Sequence, residues 1–498
     1  MRHVYGTTFG NWKNSSSRTH LSQRKLSTGN RQLDGRCVVQ TQPPVANSNL
    51  AGKRKGTRSQ PPPHSNSLGR QFADDTLALR FSELHGADLR YTATWARWSC
   101  WTGTRWKRDE THHVYDLARA ICRRASSSCT SEHLAHRVAS AATIAAVERL
   151  ARADRRHAMA ASQWDSDPWI LNTPVGIVDL RTGLLRPAAR GDYCTKETAV
   201  GPNAGCPQWD AFLARVLGGD MELQRFVQRM CGCALTGVTR DHALFFAWGS
   251  GANGKSVFTS TLSGVMGDYA RTAPIETFMA SGTEHHPTDV AGLHGARLVT
   301  ASETEDGRRW AESRLKTLTG GDKISARFMR QDYFDFVPQF KLIISGNHKP
   351  CIRTVDEAIR RRLYLLPFIV TIPPEERDPE LAEKLRSEWA GILSWMIEGC
   401  LAWQREGLNP PPIVKNATVE YLEGEDALAR WIEECCTLGS QFFTSQSDLF
   451  ASWKQWCERN GEQAGSSKRL SQNLDAKGFE RKRSTSERGF KGIFTVPV

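Results

Sequence analysis

The sequence predicts an α/β core of the phosphate-binding-loop type, preceded by an N-terminal α+β domain and followed by a C-terminal winged-helix domain. Three observations support this. An apolar strand over 243–248 runs directly into a glycine-rich loop, two later apolar strands end in polar side chains, and basic residues follow helical patterns near the C-terminus. A strand, a glycine loop and a helix in this order are typical of a phosphate-binding site.

A chain of 498 residues is too long for one ordinary core, so we expect several segments. The expected segments are a disordered basic leader at 1–70, an α+β domain at 71–200, a nucleotide-binding domain at 205–370, a helical connector at 371–414 and a winged-helix domain at 415–498.

Positive charge is concentrated at the N-terminus. The formal net charge is +13, and residues 1–70 contain twelve Lys and Arg side chains against one acid, Asp34. These residues have little periodic hydrophobicity, so burial would not offset the entropy of ordering them. We interpret them as a nucleic-acid tether or, alternatively, as a degraded or mis-started leader. The rest of the chain is nearly neutral.

Two classes of protein are disfavoured by what the sequence lacks. It has no run of about 18 apolar residues and no apolar N-terminal core of a signal peptide. Its thirteen cysteines include no Cys-x-x-Cys pair, so we expect reduced thiols rather than a zinc site. These absences predict a soluble, cytoplasmic protein that does not bind membranes.

The N-terminal domain has no catalytic pattern but is rich in tryptophan. Trp95, Trp98, Trp101 and Trp106 surround a Gly turn that predicts two short strands. Such side chains either stack on nucleic-acid bases or form a small β core.

The glycine loop satisfies the Walker A pattern. Gly251 and Gly254 allow backbone N–H groups to surround phosphate oxygens, and Lys255 reaches the β and γ phosphates of ATP. The Ser256 hydroxyl is expected to bind Mg²⁺. The alternative is a plain glycine-rich turn. The expected ATP-binding residues are Gly249, Ser250, Gly251, Ala252, Asn253, Gly254, Lys255 and Ser256.

Two carboxylates follow an apolar strand that begins at Ala296. Glu303 and Glu305 share a face if the chain is extended, because side chains alternate along a strand. ATP hydrolysis needs one carboxylate near Mg²⁺ and one that orients or deprotonates the attacking water. We expect Glu303 to act nearest the metal. The alternative is a solvated acidic turn.

A β-hairpin is expected after residue 322, with Arg330 near its tip. A basic hairpin of this kind either grips a DNA backbone or is an ordinary surface hairpin.

The next strand ends in Asn347, an amide suited to sense the γ-phosphate or position water. Arg360, Arg361 and Arg362 follow it. Arginines so placed either complete a neighbouring subunit's ATP site or form a solvated basic helix end.

The C-terminal segment predicts DNA contact independently. Two helical patterns precede a basic run, Arg481, Lys482 and Arg483, and then a terminal strand after Gly489. Helices followed by a basic helix and a β wing describe a winged helix, which binds either DNA or another protein.

Several motifs in this order resemble superfamily 3 helicases, whose ATPase core is AAA+-like. More closely, they are similar to the helicase portion of phage and plasmid primase-helicases, the group that includes the vaccinia-type replicative helicase. The resemblance covers some four fifths of the chain. The motifs are Leu315-Lys316 with Thr319-Gly-Gly-Asp322, Phe336-x-Pro338-x-Phe340-Lys341, Gly346-Asn347-His-Lys-Pro350 and Arg361-Arg362-x4-Pro367-Phe368.

The resemblance implies roles for individual residues. Lys255 and Ser256 belong to Walker A, Glu303 and Glu305 to Walker B, and Asn347 is the sensor. Arg362 or Arg361 is the arginine finger that acts on a neighbouring subunit. The implied DNA contacts of the hairpin are Lys323, Arg327 and Arg330. Related proteins often carry a primase module with clustered carboxylates, and the single acid in residues 1–70 argues against one there.

The expected protein is a homo-hexameric, ATP- and Mg²⁺-dependent DNA helicase of phage or plasmid replication. Its expected partners are single-stranded and forked DNA, with a separate primase or other replisome proteins. The sequence also allows two alternatives: a P-loop ATPase that loads or remodels a helicase, and an origin-binding initiator that ATP switches without unwinding.

Overall fold

The computed structural model describes residues 70–496 except 204, 282–286, 303–307, 353–354, 463 and 484–486. Two sequence-based expectations lie outside the described residues: the leader at 1–69 and the carboxylates Glu303 and Glu305.

The first folded part is a helical layer packed on a small antiparallel sheet. Leu77, Phe81 and Trp98 are buried between these layers. The Trp98 indole donates a hydrogen bond of 2.6 Å to Glu148. The tryptophans therefore mainly build β core, although Trp95 stays 42% exposed. The elements are α1 (Asp74–His85), β1 (Leu89–Thr92), β2 (Arg97–Trp101), β3 (Trp106–Arg108), α2 (His113–Ser127), α3 (Glu132–Val138) and α4 (Ala141–Ala151).

A second small sheet, at 170–186, packs against the central core rather than with the preceding helices. It contains β4 (Ile170–Thr173), β5 (Gly176–Asp179) and β6 (Leu184–Arg186). Leu171 and Val178 are fully buried in the same cluster as the central strands. The sequence-based boundary near residue 200 therefore divides residues that share one hydrophobic core.

The centre of the molecule is a five-stranded parallel sheet, in the order β13-β7-β12-β9-β8. Both faces are buried: Phe245 and Ile343 face one cluster, whereas Phe246 and Ile344 face the other. Continuous apolar runs are typical of such two-sided burial. The strands are β7 (Leu244–Trp248), β8 (Ala270–Thr272), β9 (Leu298–Ser302), β12 (Lys341–Gly346) and β13 (Leu363–Pro367).

Helices and one hairpin complete this core. The helices at Met221–Leu235 and Trp389–Glu406 approach so closely that a Cβ added to Gly232 would lie 2.0 Å from the backbone nitrogen of Cys400. The helices are α5 (Pro207–Val216), α6 (Met221–Leu235), α7 (Lys255–Met266), α8 (Pro287–Ala291), α9 (Glu312–Gly320), α10 (Glu357–Arg360), α11 (Leu381–Ser387), α12 (Trp389–Glu406) and α13 (Pro412–Glu425), and the hairpin is β10 (Ile324–Ala326) with β11 (Phe334–Phe336).

The helix α13 corrects a predicted boundary. The sequence placed residue 415 at the start of the C-terminal domain, but Tyr421 and Leu422 are buried in the core cluster of the central sheet. The Thr418 hydroxyl also accepts a hydrogen bond of 2.9 Å from the backbone nitrogen of Leu365 in β13. This helix therefore belongs to the α/β core, and a separate cluster begins at Leu428.

The C-terminal part has its own core, which includes Trp431, Leu449, Leu474 and Ile493. Its three antiparallel strands lie in the order β14-β16-β15. The elements are α14 (Ala427–Cys435), β14 (Cys436–Ser445), α15 (Gln446–Arg459), α16 (Ser467–Ala476), β15 (Glu480–Arg483) and β16 (Arg488–Thr495).

None of the described helices is both long enough and apolar enough to span a membrane. The cysteines within the described residues are free thiols, and burial raises the pKa of the Cys233 thiol to about 12.

Candidate nucleotide site

The glycine loop 249–254 joins the carboxyl end of β7 to the first residue of α7. Gly254 has φ +82°, and a Cβ there would lie 2.6 Å from Val216 Cγ1, so both conformation and space require glycine. Gly251 also has a positive φ, +103°. The loop thus has the strand–loop–helix setting that a Walker A motif needs.

Lys255 lies at the centre of a group of oxygen acceptors. Its ammonium donates hydrogen bonds to the Gly249 carbonyl at 2.7 Å, to Asn253 Oδ1 at 2.9 Å and to Asn347 Oδ1 at 3.2 Å. The residue is 6% exposed. Burial lowers the pKa of Lys255 from its ordinary value, because removal from water disfavours the charged form.

Asn347 reaches Lys255 because their strands are neighbours. In the parallel ladder Gly346 of β12 pairs with Trp248 of β7, so both strands end at the same edge of the sheet. Ligands of α/β sheets bind at this carboxyl edge. Two site residues that are 92 positions apart in the sequence thereby come into contact.

The loop also presents unpaired donors. Within the described part of the chain, the backbone N–H groups of residues 250–254 make no hydrogen bond to another protein group. The first N–H groups of α7 have no acceptor within the helix, because no helical turn precedes them. Unpaired N–H groups at a helix N-terminus suit an anion such as phosphate.

Ser256 is exposed at the second position of α7. A hydroxyl oxygen with a nearby carboxylate is a suitable ligand set for Mg²⁺, which prefers oxygen donors. The acids expected to supply that carboxylate, Glu303 and Glu305, lie outside the described residues. The preceding strand β9 ends at Ser302, which pairs with Ser345, two residues before Asn347.

The two candidate arginines differ sharply. Arg362 is only 7% exposed; its Nε donates to Thr319 Oγ1 at 3.2 Å and another guanidinium nitrogen donates to the Ala358 carbonyl at 2.8 Å. Burial lowers the pKa of Arg362. Arg361 is exposed in the turn between α10 and β13. Arg362 is thus bound to residues of its own chain, whereas the Arg361 side chain is exposed.

The predicted hairpin is present, and its tip is exposed. Arg330 adopts a left-handed conformation with φ +60°, beside Met329, which is 70% exposed. The Arg327 guanidinium lies 4.7 Å from the centre of the Tyr333 ring. Lys323 Nζ lies 4.0 Å from an Asp335 carboxylate oxygen, an exposed ion pair. The tip thus combines cations with exposed apolar and aromatic side chains.

The three C-terminal cations, which the sequence presents as one basic run, differ in whether they form ion pairs. Arg481 forms an ion pair with Asp475 of α16, with its Nε 2.8 Å from Asp475 Oδ1. Lys482 and Arg483 are exposed on β15 and form no ion pair within the described residues. Two of the three expected cations therefore keep an unneutralised charge.

Sequence reasoning treated Asn253 only as a loop member. Its side chain connects two parts of the site: Oδ1 accepts from Lys255, and Nδ2 donates to the Phe368 carbonyl at 2.9 Å. The backbone nitrogen of Ile372 also donates to the Ala252 carbonyl at 2.8 Å. The only sign of this role in the sequence is an amide side chain within a glycine-rich loop. Nothing in the sequence indicates that Phe368 and Ile372, which follow β13, contact that loop.

Two families match parts of this chain. Residues 78–218 match the family described as "D5 N terminal like", and residues 247–362 match a "Family of unknown function (DUF5906)". The first match covers the N-terminal sheets and α5, and the second runs from the end of β7 to the arginine pair.

Curated viral proteins are similar to this chain at low identity. The protein "Putative helicase L207/L206" of Acanthamoeba polyphaga mimivirus is 23% identical over 323 residues, which are 59% of this chain and 34% of that protein. The protein "Putative helicase 022R" of Frog virus 3 is 25% identical over 271 residues, 50% of this chain and 28% of that protein. The matched part of this chain spans about a third of the length of these relatives.

A solved structure has a similar fold. The apo structure of the NrS-1 C-terminal region matches with a TM-score of 0.50 and 10% sequence identity, and the match covers 85% of this chain and 100% of that one. At this identity the likeness concerns the fold alone.

Proposed function

Because this chain belongs to the phage and viral primase-helicase family, we propose that it is an ATP-driven DNA helicase of phage or plasmid replication. The observation that carries the proposal is the contact of 3.2 Å between Lys255 Nζ and Asn347 Oδ1 at the carboxyl edge of the sheet. It supports the proposal because ATP hydrolysis needs a phosphate-binding cation and a polar sensor at one point, the roles we propose for Lys255 and Asn347.

ATP would bind with its phosphates against the N–H groups of loop 249–254 and Lys255. Ser256, with Glu303 as the proposed carboxylate ligand, would hold Mg²⁺, which neutralises phosphate charge when bound. We assign Glu305 to orienting or deprotonating the attacking water. Asn347, adjacent to Lys255, would fix the γ-phosphate or that water.

The proposed assembly is a homo-hexameric ring with ATP between subunits. Arg361 is the better candidate for the finger, because its side chain is exposed whereas Arg362 is bound to Thr319 and Ala358 of its own chain. A guanidinium from a neighbour would stabilise charge on the transferring phosphoryl group.

DNA would be held at two places. The hairpin supplies Lys323, Arg327 and Arg330, close to exposed aromatic rings that suit stacking on bases. We propose that the C-terminal part is a winged helix, which its order of helices and strands supports, with Lys482 and Arg483 on the proposed wing strand β15. We propose that it contacts the DNA backbone, and that Arg481 mainly braces the wing against α16.

The hairpin assignment predicts weaker DNA binding in Arg330→Ala. We expect affinity for single-stranded DNA to fall about three- to tenfold at 0.1 M salt, with a salt slope reduced by about 0.7, because one phosphate contact is lost. Fluorescence anisotropy of a labelled oligonucleotide at several salt concentrations measures both. Arg225→Ala, an exposed arginine on α6, is the matched control. Equal affinities and slopes in the two variants would reject the hairpin as a DNA contact.

The whole proposal is tested by unwinding of a labelled forked duplex. We expect the purified chain to separate the strands only with ATP and Mg²⁺, and DNA to stimulate ATP turnover. Turnover without unwinding would instead support a loader or remodelling ATPase. Sequence-specific duplex binding that persists in Lys255→Ala, without unwinding, would support an origin-binding initiator.

A further inference from the structure

The loop that follows the sensor strand, residues 347–352, is held from outside the sheet by α13. We propose that Glu425, at the end of α13, is a positioning residue for Asn347 and that α13 couples the nucleotide site to the C-terminal part. This inference rests on the proposed ATPase function. Glu425 lies far from the glycine loop in the sequence, and no motif includes it.

The first contact fixes the middle of the sensor loop. The Tyr421 hydroxyl of α13 donates a hydrogen bond to the Pro350 carbonyl. The same hydroxyl accepts a hydrogen bond of 3.1 Å from the Trp310 indole. Tyr421 is 4% exposed, so these bonds lie in a buried setting where an unpaired polar group is costly.

The second contact connects the sensor loop to the start of the glycine loop. Lys349 Nζ lies 4.1 Å from the ring centre of Trp248, the last residue of β7, and 5.7 Å from that of Tyr421. A cation over aromatic rings is attracted by their negative faces. Lys349 therefore joins α13 to the strand that leads into the phosphate-binding loop.

The third contact is the one that carries the proposal. The backbone nitrogen of Ile352 donates a hydrogen bond of 2.8 Å to Glu425 Oε2. A carboxylate acceptor makes such a bond stronger than a neutral one. With Asn347 held by Lys255 and Ile352 held by Glu425, both ends of the loop are fixed.

The adjacent residue extends the path into the C-terminal part. Asp426 caps α14 by accepting from the Ala429 backbone nitrogen at 3.0 Å. It also forms an ion pair of 2.8 Å with Lys477, which follows α16. A shift of the sensor loop that moves Glu425 would thus move the attachment of α14 and α16.

The test compares Glu425→Ala with Glu425→Gln. Loss of the carboxylate should lower kcat for ATP about tenfold, because the Ile352 end of the sensor loop loses its side-chain acceptor and Asn347 is positioned less firmly. KM should change little, since the glycine loop and Lys255 are intact. Glu425→Gln keeps an acceptor oxygen for Ile352 and should restore most of the activity. A merely structural role would lower both variants' thermal stability without this split between kcat and KM.

The matched control is Glu420→Ala, an exposed glutamate on the same helix. It should match the wild type in kcat, KM and melting temperature. If Lys255→Ala is inactive while Glu425→Ala has wild-type kcat, the positioning role is overturned and the ATPase stands. If the wild type itself hydrolyses no ATP, both are overturned.

The coupling to the C-terminal part has its own measurement. We expect the affinity of the wild type for forked DNA to differ at least about threefold with and without a non-hydrolysable ATP analogue. In Lys477→Met, which removes the ion pair but not the Asp426 cap, this ratio should approach one. A direct DNA contact by Lys477 would change both affinities alike and leave the ratio as in the wild type, which would overturn the coupling.

Discussion

In Lys255→Ala, ATP turnover should fall about 10²- to 10³-fold, the loss that follows removal of one charge-stabilising donor from a reacting phosphate. The ammonium is the one side-chain cation that contacts both the glycine loop and Asn347 within the described residues. Substitution should leave the fold intact, since burial already disfavours this charge. Steady-state ATPase assays and circular dichroism measure the two effects.

Lys415→Ala is the matched control for this substitution. Lys415 lies exposed on α13 and forms no ion pair within the described residues. It should retain wild-type turnover. Unchanged turnover in Lys255→Ala, with the protein folded, would contradict the assignment of the glycine loop as the hydrolytic site.

The central strands could be predicted because the signals for them, apolar runs and the glycines that follow, lie within short stretches of sequence. An unbroken apolar run such as 243–248 is buried on both faces, and the glycines after it permit the turn that the loop requires. The hairpin was predictable for the same reason, since Ile324 and Phe336 pair across the nearby turn at residues 327–333.

Boundaries between segments were less predictable, because they depend on contacts distant in sequence. Nothing local to β5 indicates that Val178 packs in the cluster of the central sheet. Likewise, α13 has ordinary helical periodicity, and only the structure reveals that Tyr421 is buried against that core. Tertiary packing decided which domain each element joins.

The candidate site also has a part that the sequence could predict and a part that depends on tertiary structure. The sequence selected Lys255 and Asn347 from motif spacing, and the parallel register of β7 and β12 brings them together. The sequence could not decide whether Arg361 or Arg362 is the better candidate for the finger, because both are arginines and they are adjacent in the chain. Their surroundings differ in the structure: Thr319 and Ala358 bind the guanidinium of Arg362, whereas Arg361 is exposed.

Arg361→Ala should lower ATP turnover about 10³-fold or more, because a trans arginine stabilises the transferring phosphoryl group. The effect requires a neighbouring subunit, since the exposed side chain makes no ion pair within the described part of its own chain. Arg225→Ala, on the exposed face of α6, should keep wild-type turnover.

Mixing two inactive variants in one ring distinguishes an ATP site shared between subunits from a site within a single subunit. When inactive Lys255→Ala and Arg361→Ala subunits are mixed, a site is complete where an intact Lys255 meets an intact Arg361 from its neighbour. At equal amounts and random assembly, about a quarter of the sites in a closed ring are complete, so turnover should recover to roughly that fraction. Arg362→Ala should show no such recovery, because its loss disturbs contacts within its own subunit. Failure of the Arg361→Ala mixture to recover at any ratio would contradict Arg361 as a residue that acts on a neighbouring subunit.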